Sequence, residues 1–307
     1  MKGLEAARAL YEEYGAAMIR ESFPEYEGRI AVGLAGRGSE CFGFDDETSR
    51  DHDFARGFCL WLEDEDDIRI AVPLARAYRQ LPLGGAGEHS KLGEDNCGVH
   101  RTAFFYRRYT GSHGAPETWQ QWMALPSSAL AEATNGEVFR DDLGHFTAIR
   151  EQILHGMPED VRKKKLAARL IEMAQSGQYN YGRCLRHGEE GAAMLAMADF
   201  VRAACGACYL LEKLHMPYYK WMLRGMDALP TLGSLRPALE FLLTGENDPD
   251  GRLLKGQVVE DVCANVAREL RAQGLSEGEW DYLEPHAFAV QGTIRTPEIR
   301  AMHIMEG

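Results

Sequence analysis

The 307-residue sequence predicts an α+β chain, with a mixed sheet and flanking helices over residues 1–150 and an all-helical bundle over 151–307. Three observations carry this. Short β-like runs, at 29–35, 53–62, 97–101 and 137–140, are confined to the first half. Helical stripes are interleaved with them. Beyond about residue 150 the strand signals fade and helical patterns continue alone. The length suits two domains at about 150 residues each.

The elements follow in order. Leu4, Ala7, Leu10, Tyr14 and Met18 fall at helical spacing, and Phe23-Pro24 ends that helix. Arg29-Ile-Ala-Val-Gly-Leu-Ala35 reads as a short buried strand that runs into the turn Gly36-Arg-Gly-Ser39. Asp53 to Leu62 reads as a second strand, with Phe58, Leu60 and Leu62 on one face, and Glu63 to Asp67 as a solvated acidic loop. Ile70, Leu74, Ala77, Tyr78 and Leu81 form a helical stripe, with Pro73 placed in its first turn. Pro82 to Gly98 is a long polar, glycine-rich loop. Next come a strand near Cys97 to Arg101, a helix over Ala103 to Tyr109, and a helix over Ser127 to Thr134 closed by Asn135-Gly136. A strand at Glu137 to Arg140 and a turn at Asp141 to Gly144 complete the first half. In the second half, Pro158-Glu-Asp160 starts a helix that stops at Gly177. Helices are also expected over Glu189 to His215, Tyr218 to Leu229, Leu235 to Leu243 and Leu253 to Gln273.

Composition bounds the function. Apolar residues make up 45% and charged residues 26%, which suits a chain with a sizeable core rather than a disordered one. The net charge of −13 argues against attraction of nucleic acid over the whole surface, because that attraction comes from Lys and Arg. Met1 to Leu10 has no basic segment followed by an apolar run, so no secretory signal is expected. The most apolar stretch, Gly191 to Leu211, is broken by Asp199 and Arg202, so no membrane partner is expected. Seven scattered cysteines read as reduced thiols, and the expected location is cytoplasmic.

The chemistry concentrates in Gly38 to Phe54. A strand ends in Gly38-Ser39, and after eleven intervening residues come Asp51 and Asp53, separated by His52. On a strand, residues i and i+2 share a face. Two carboxylates side by side repel unless a cation lies between them, and such a pair suits Mg²⁺ on a phosphate substrate. Glycine lets the backbone approach a phosphate, while the serine hydroxyl and nearby N–H groups donate to it.

These residues resemble the signature of the polymerase-β-like nucleotidyltransferase superfamily: Gly-Ser, about ten residues, then Asp-x-Asp. Gly38, Ser39, Gly43, Ser49, Asp51 and Asp53 match the small-molecule branch. Arg50 is an insertion between the serine and the first aspartate, and His52 stands where an aliphatic residue is usual. The helical second half is similar in architecture to the substrate domain of aminoglycoside nucleotidyltransferases. The resemblance implies that Asp51 and Asp53 hold Mg²⁺, with a two-ion site allowed, and that Gly38-Ser39 hold the β and γ phosphates of an NTP, ATP by expectation. An acceptor hydroxyl then attacks the α-phosphorus and pyrophosphate leaves. The family also has a third carboxylate. Asp141, or its neighbour Asp142, is the candidate catalytic acid, and His100 is an alternative base because Val99-His100-Arg101 contains no acid. The expected partners are the NTP and a small-molecule acceptor, with nucleic acid disfavoured and a homodimer allowed. A protein or tRNA acceptor, and a nucleotide-binding regulator without turnover, are the alternatives.

Other segments have competing readings. Asp45 and Asp46 read as a turn, with assistance to the metal as the alternative, and His52 as packing or surface rather than a metal ligand. Cys205-Gly-Ala-Cys208 has metal-like spacing but lies in an apolar helix, so it reads as core. Gly33-x-x-Gly36-x-Gly38 has the wrong spacing for a dinucleotide fingerprint, and no Gly-Lys-Ser/Thr is present for a P-loop. Arg162-Lys-Lys-Lys165 with Arg169 reads as a solvated face, with a patch for tRNA as the alternative. Gln178-Tyr-Asn-Tyr181 and Pro217-Tyr-Tyr-Lys-Trp221 read either as core with amphipathic tips or as a pocket wall. In the pocket reading, Lys220 meets a triphosphate and Tyr181 stacks on base or acceptor.

Overall fold

A computed structural model describes residues 2–46, 57–83 and 97–307. It is an α+β protein with two compact units, Met1–Gln121 with Ser128–Gly156, and Trp122–Ser127 with Met157–Gly307. The change expected at residue 150 falls inside a helix, His145–His155, whose Phe146 and Ile153 are buried, and the division follows that helix.

The first unit is built on a four-stranded sheet: β1 (Ala31–Leu34), β2 (Cys59–Leu62), β3 (Gly98–Arg101) and β4 (Glu137–Arg140), in the order β3-β2-β1-β4. β1 pairs antiparallel with both β2 and β4, and β2 pairs parallel with β3. Every residue of β1 and β2 is buried, which explains their continuous apolar runs. The single apolar face expected of β2 is therefore corrected to two. Phe58 meets Tyr11 and Tyr78 edge-on, while Trp61 stacks on Phe146 at 3.9 Å and meets Phe105 edge-on. Such aromatic pairs add about 0.5–1.5 kcal/mol each beyond their buried area.

The helices supply these rings. α1 (Gly3–Leu10) continues through a π-helical turn at Tyr11–Gly15 into α2 (Ala16–Ser22), and Phe23-Pro24 ends the run as expected. α3 (Asp64–Tyr78) buries Ile70, Leu74 and Tyr78. Its start corrects two expectations. The acidic run is the first turn of the helix, where carboxylates face the positive end of the backbone dipole. Pro73 consequently lies inside the helix rather than in its first turn. Nor is the run merely solvated: Asp66 is 0% exposed and accepts from Arg29 Nε at 2.8 Å, and Asp67 accepts from Arg101 at 2.6 Å. α4 (Thr102–Thr110) carries Phe105 and Tyr109, α5 (Trp119–Ala124) precedes α6 (Ser127–Thr134), and α7 (His145–His155) carries Phe146.

The second unit is helical, with α8 (Glu159–Met173), a π-helical stretch at Ala174–Tyr181, α9 (Gly182–Arg186), α10 (Glu190–Leu211) and α11 (Tyr219–Gly225). α12 (Arg236–Thr244), α13 (Pro249–Ala272), α14 (Leu283–Gly292) and α15 (Pro297–Arg300) follow. α10 has the length and apolar composition of a membrane span, but it is the core helix of this unit, burying Phe200, Val201 and Ala203 to Tyr209. Cys205 and Cys208 are core residues, as expected, and burial pushes both thiols up. The stop expected at Gly177 is corrected. The helical path continues through it, and a Cβ there would collide with the Phe200 ring. The glycine serves close packing rather than termination.

The basic run on α8 is also corrected. Arg162 is buried, donating to Glu159 and to the Leu210 carbonyl. Lys164 is 0% exposed and donates to Gln291 Oε1 and to the His303 and Ile304 carbonyls. Lys165 donates to the Leu125 carbonyl at 2.8 Å. Burial pushes the ammonium groups of Lys164 and Lys165 down to about 8. These cations tie the chain to itself, where a solvated face was expected.

Candidate functional site

The Gly-Ser turn leaves the end of β1, a central and fully buried strand. Gly36 and Gly38 have φ of +116° and +114°, backbone that residues with a side chain rarely adopt. Gly36 is pinned by Asn135, which follows α6: the Gly36 N–H donates to Asn135 Oδ1 at 2.8 Å, and Asn135 Nδ2 donates to the Gly36 carbonyl at 2.7 Å. Arg150 of α7 holds that corner by donating to the carbonyls of Asn135 and Gly136. Beyond the turn, the Ser39 carbonyl accepts from the N–H groups of Phe42 and Phe44, so Glu40–Phe42 forms one tight turn. The φ of Gly38 favours glycine, and a side chain there would also displace Glu40. Besides its φ, a Cβ there would lie 2.5 Å from both oxygens of the buried Glu40 carboxylate.

Three side chains at this turn had not been picked out from the sequence. Asn135 is one. Tyr109 of α4 brings its hydroxyl to 2.8 Å from where a Gly36 Cβ would stand. That hydroxyl is buried without a hydrogen-bond partner among the described residues, and burial raises it well above its ordinary value. Glu132 of α6 lies 3.6 Å from Arg37 Nε, and burial raises its carboxyl against the opposing pull of Arg37. The only local signal for Glu132 was one charge on an otherwise small and apolar helix, Ser-Ser-Ala-Leu-Ala-Glu-Ala-Thr. The arrangement can present half-buried Gly38 and Ser39, the exposed Arg37 cation and one desolvated carboxyl to a ligand.

The remaining candidates are distributed as follows. Asp51 and Asp53, with Ser49 and His52, lie outside the described residues. Among the described residues, no group of three His, Cys, Asp or Glu side chains could hold a metal ion, so the Mg²⁺ expectation rests on Asp51 and Asp53. Asp141 accepts from Gly144 N–H at 3.0 Å and Thr147 N–H at 2.8 Å, so both its oxygens cap the start of α7. Asp142 is paired with Arg140 at 2.5 Å, which holds its carboxyl below the usual range. His100 lies half-buried on the edge strand β3. Asp45 is buried and accepts from Gly3 N–H at 3.0 Å, consistent with a structural turn. Tyr181 and Lys220 belong to the second unit, Tyr181 3% exposed at the end of the π-helical stretch and Lys220 exposed on α11. The Tyr181 hydroxyl has no hydrogen-bond partner among the described residues.

Comparison with known proteins gives two matches. Residues 122–222 match a family model described as a domain of unknown function (DUF4037). The fold search returns a nucleotidyltransferase-like protein from Exiguobacterium sibiricum 255-15, at 15% identity and a TM-score of 0.33, covering 90% of this chain and 81% of that one. No curated protein matches the chain.

Proposed function

We propose that the chain is a Mg²⁺-dependent nucleotidyltransferase that moves AMP from ATP to a hydroxyl of a small-molecule acceptor and releases pyrophosphate. One observation carries the reading. Gly38-Ser39 forms a glycine turn at the end of a central strand, and eleven residues separate it from Asp51-x-Asp53. In this reading the turn receives the β and γ phosphates through backbone N–H groups and the Ser39 hydroxyl. Asp51 and Asp53 hold the metal, which supplies neutralisation of phosphate charge when bound. The acceptor oxygen forms its bond to the α-phosphorus as the bond to pyrophosphate breaks, and Glu132, desolvated at the turn, accepts the hydroxyl proton. Asp141 is assigned to holding α7, and Tyr181, 3% exposed, has no face left to stack on a ligand.

A protein or tRNA acceptor would need the basic run of α8 as its contact surface, and Arg162 and Lys164 of that run are buried. A regulator that binds nucleotide without turnover remains as a second reading. It is favoured by the commitment of both Asp141 oxygens to a helix cap and by the lack of an acid on β3. Incubation with Mg²⁺ and α-labelled ATP, with a small-molecule extract as acceptor, separates the two. Transferase activity yields labelled small molecules and matching pyrophosphate. Bound nucleotide with no pyrophosphate above a protein-free control supports the regulator.

A further inference from the structure

The two faces of α3 (Asp64–Tyr78) carry different chemistry. Asp66, Ile70, Leu74 and Tyr78, at spacings of four, are buried and form the face turned to β2 and β3. Residues 65, 68, 72, 76 and 79, at spacings of three and four, lie on the opposite face. Arg79 still belongs to it, because the backbone there keeps a helical φ of −66° and ψ of −16°. The outward face of a surface helix is ordinarily polar. Here its middle is apolar: Ile68 is 82% exposed and Val72 71%, and no large apolar side chain among the described residues is more exposed than Ile68. The charges on this face are ordered as well. Glu65 stands at its start and Arg76 and Arg79 at its end, all exposed and none in an ion pair with another described residue. The neighbouring acids are paired, Asp64 and Asp67 with Arg101, and Asp66 with Arg29. Around Val72 a groove of about 290 Å³ is lined by Ala71, Ala75, Arg76, Arg79 and, from β3, Val99.

We propose that this face of α3 is a self-complementary interface for a second copy of the chain, the two α3 helices packing antiparallel about a two-fold axis at Val72. Position 72 is midway between 65 and 79, and also midway between 68 and 76. An antiparallel pair centred there sets Glu65 of each copy opposite Arg79 of the other. The two Val72 side chains meet on the axis, and Ile68 of each copy enters the other's groove beside Arg76, whose alkyl stem covers it. The same patch serves both copies, as a two-fold interface requires.

Charge complementarity selects the second copy over another partner. An acid at one end of the face and bases at the other are matched by the same helix reversed, whereas a uniformly acidic partner would meet Arg76 and Arg79 but be repelled by Glu65. A 15-residue helix is about 22 Å long, so the contact is small for a stable interface and its dissociation constant belongs in the micromolar range. The net charge of −13 acts in the same direction, since two copies repel one another at long range.

Analytical ultracentrifugation of the full chain, from about 1 to 200 μM, tests this. The average mass should rise with concentration from 34.3 kDa toward twice that value. Val72→Glu sets two carboxylates together on the axis and should stay monomeric. Glu65→Arg alone and Arg79→Glu alone each set like charges opposite one another, and each should raise the dissociation constant about tenfold or more. An equimolar mixture of those two variants brings opposite charges together again and should associate as tightly as wild type. Leu195→Glu, at an equally exposed leucine of α10, should leave association unchanged. The substituted side chains are exposed, so the fold does not depend on them. A wild-type chain that keeps the monomer mass throughout, which would leave the face to some other partner, overturns the proposal. So does a dimer that Val72→Glu leaves intact, or a mixture that associates no better than either variant alone.

Discussion

Replacing Asn135 with alanine tests whether the glycine turn is a built feature. Asn135 makes two hydrogen bonds, of 2.8 and 2.7 Å, to the N–H and carbonyl of the same buried residue, Gly36. Each bond is worth about 0.5–1.5 kcal/mol net, and a buried partner left unpaired costs about 1–3 kcal/mol. Asn135→Ala removes both bonds at once, and water can reach part of the space beside exposed Arg37. A loss of about 2–4 kcal/mol is expected, a fall of roughly 5–10 °C in the midpoint of the first unit's transition. Asn135→Asp is the companion variant. It keeps an acceptor for the Gly36 N–H but sets a carboxylate oxygen against the Gly36 carbonyl, so it should also destabilise. Scanning calorimetry gives the midpoints of both variants. A midpoint for Asn135→Ala within 2 °C of wild type (an energy of about 1 kcal/mol or less) would refute the role given to Asn135.

Three further outcomes are expected. Gly38→Ala places a Cβ 2.5 Å from the Glu40 carboxylate at φ +114°, so urea unfolding should show a loss of about 1–3 kcal/mol, together with weaker Mg-ATP binding. Glu132→Gln should lower turnover about 100-fold or more while Mg-ATP affinity stays near wild type, and unchanged turnover would remove Glu132 as the proton acceptor. The lysines of α8 give a pH dependence of defined sign. Lys165 is held down at about 8 in the folded chain against 10.5 unfolded, so its cost is fully present below pH 8 and fades as pH rises through 8 toward 10.5. Wild type should therefore gain stability relative to Lys165→Met between pH 7 and pH 9.5, measured by urea unfolding at each pH, and a constant difference would contradict the burial of that charge.

The parts of the fold legible in the sequence were those decided locally. β1 and β4 are short apolar or alternating runs bounded by Gly and Asp, and the turn at 36–39 announces itself by its glycines. The helix over Ser127–Thr134 and its Asn135-Gly136 ending could be read for the same reason. Features that depend on distant partners were not legible. Asp66 reads as one of five solvated acids until Arg29, 37 residues away, is placed against it. Lys164 looks like part of a basic face until the carbonyls of His303 and Ile304 fold onto it. Gly177 reads as a helix stop because its reason for being glycine, the Phe200 ring, lies on another helix. At the candidate site the same division holds. Gly38 and Ser39 were visible from spacing alone, whereas Tyr109, Glu132 and Asn135 reach the turn only through the packing of α4 and α6. Asp141 fitted the expected position in sequence, yet its geometry is that of a helix cap.

In the proposed function, Asp51 and Asp53 hold a metal-bound nucleotide against the Gly38-Ser39 turn. Calorimetric titration of the wild-type chain with ATP, with and without Mg²⁺, and of the Asp51→Ala/Asp53→Ala variant, tests it most directly. Saturable binding that requires Mg²⁺, weakened about tenfold or more in the double variant, a change of about 1.4 kcal/mol, is the expected result. No binding to the wild-type chain, or equal binding to the variant, would contradict it.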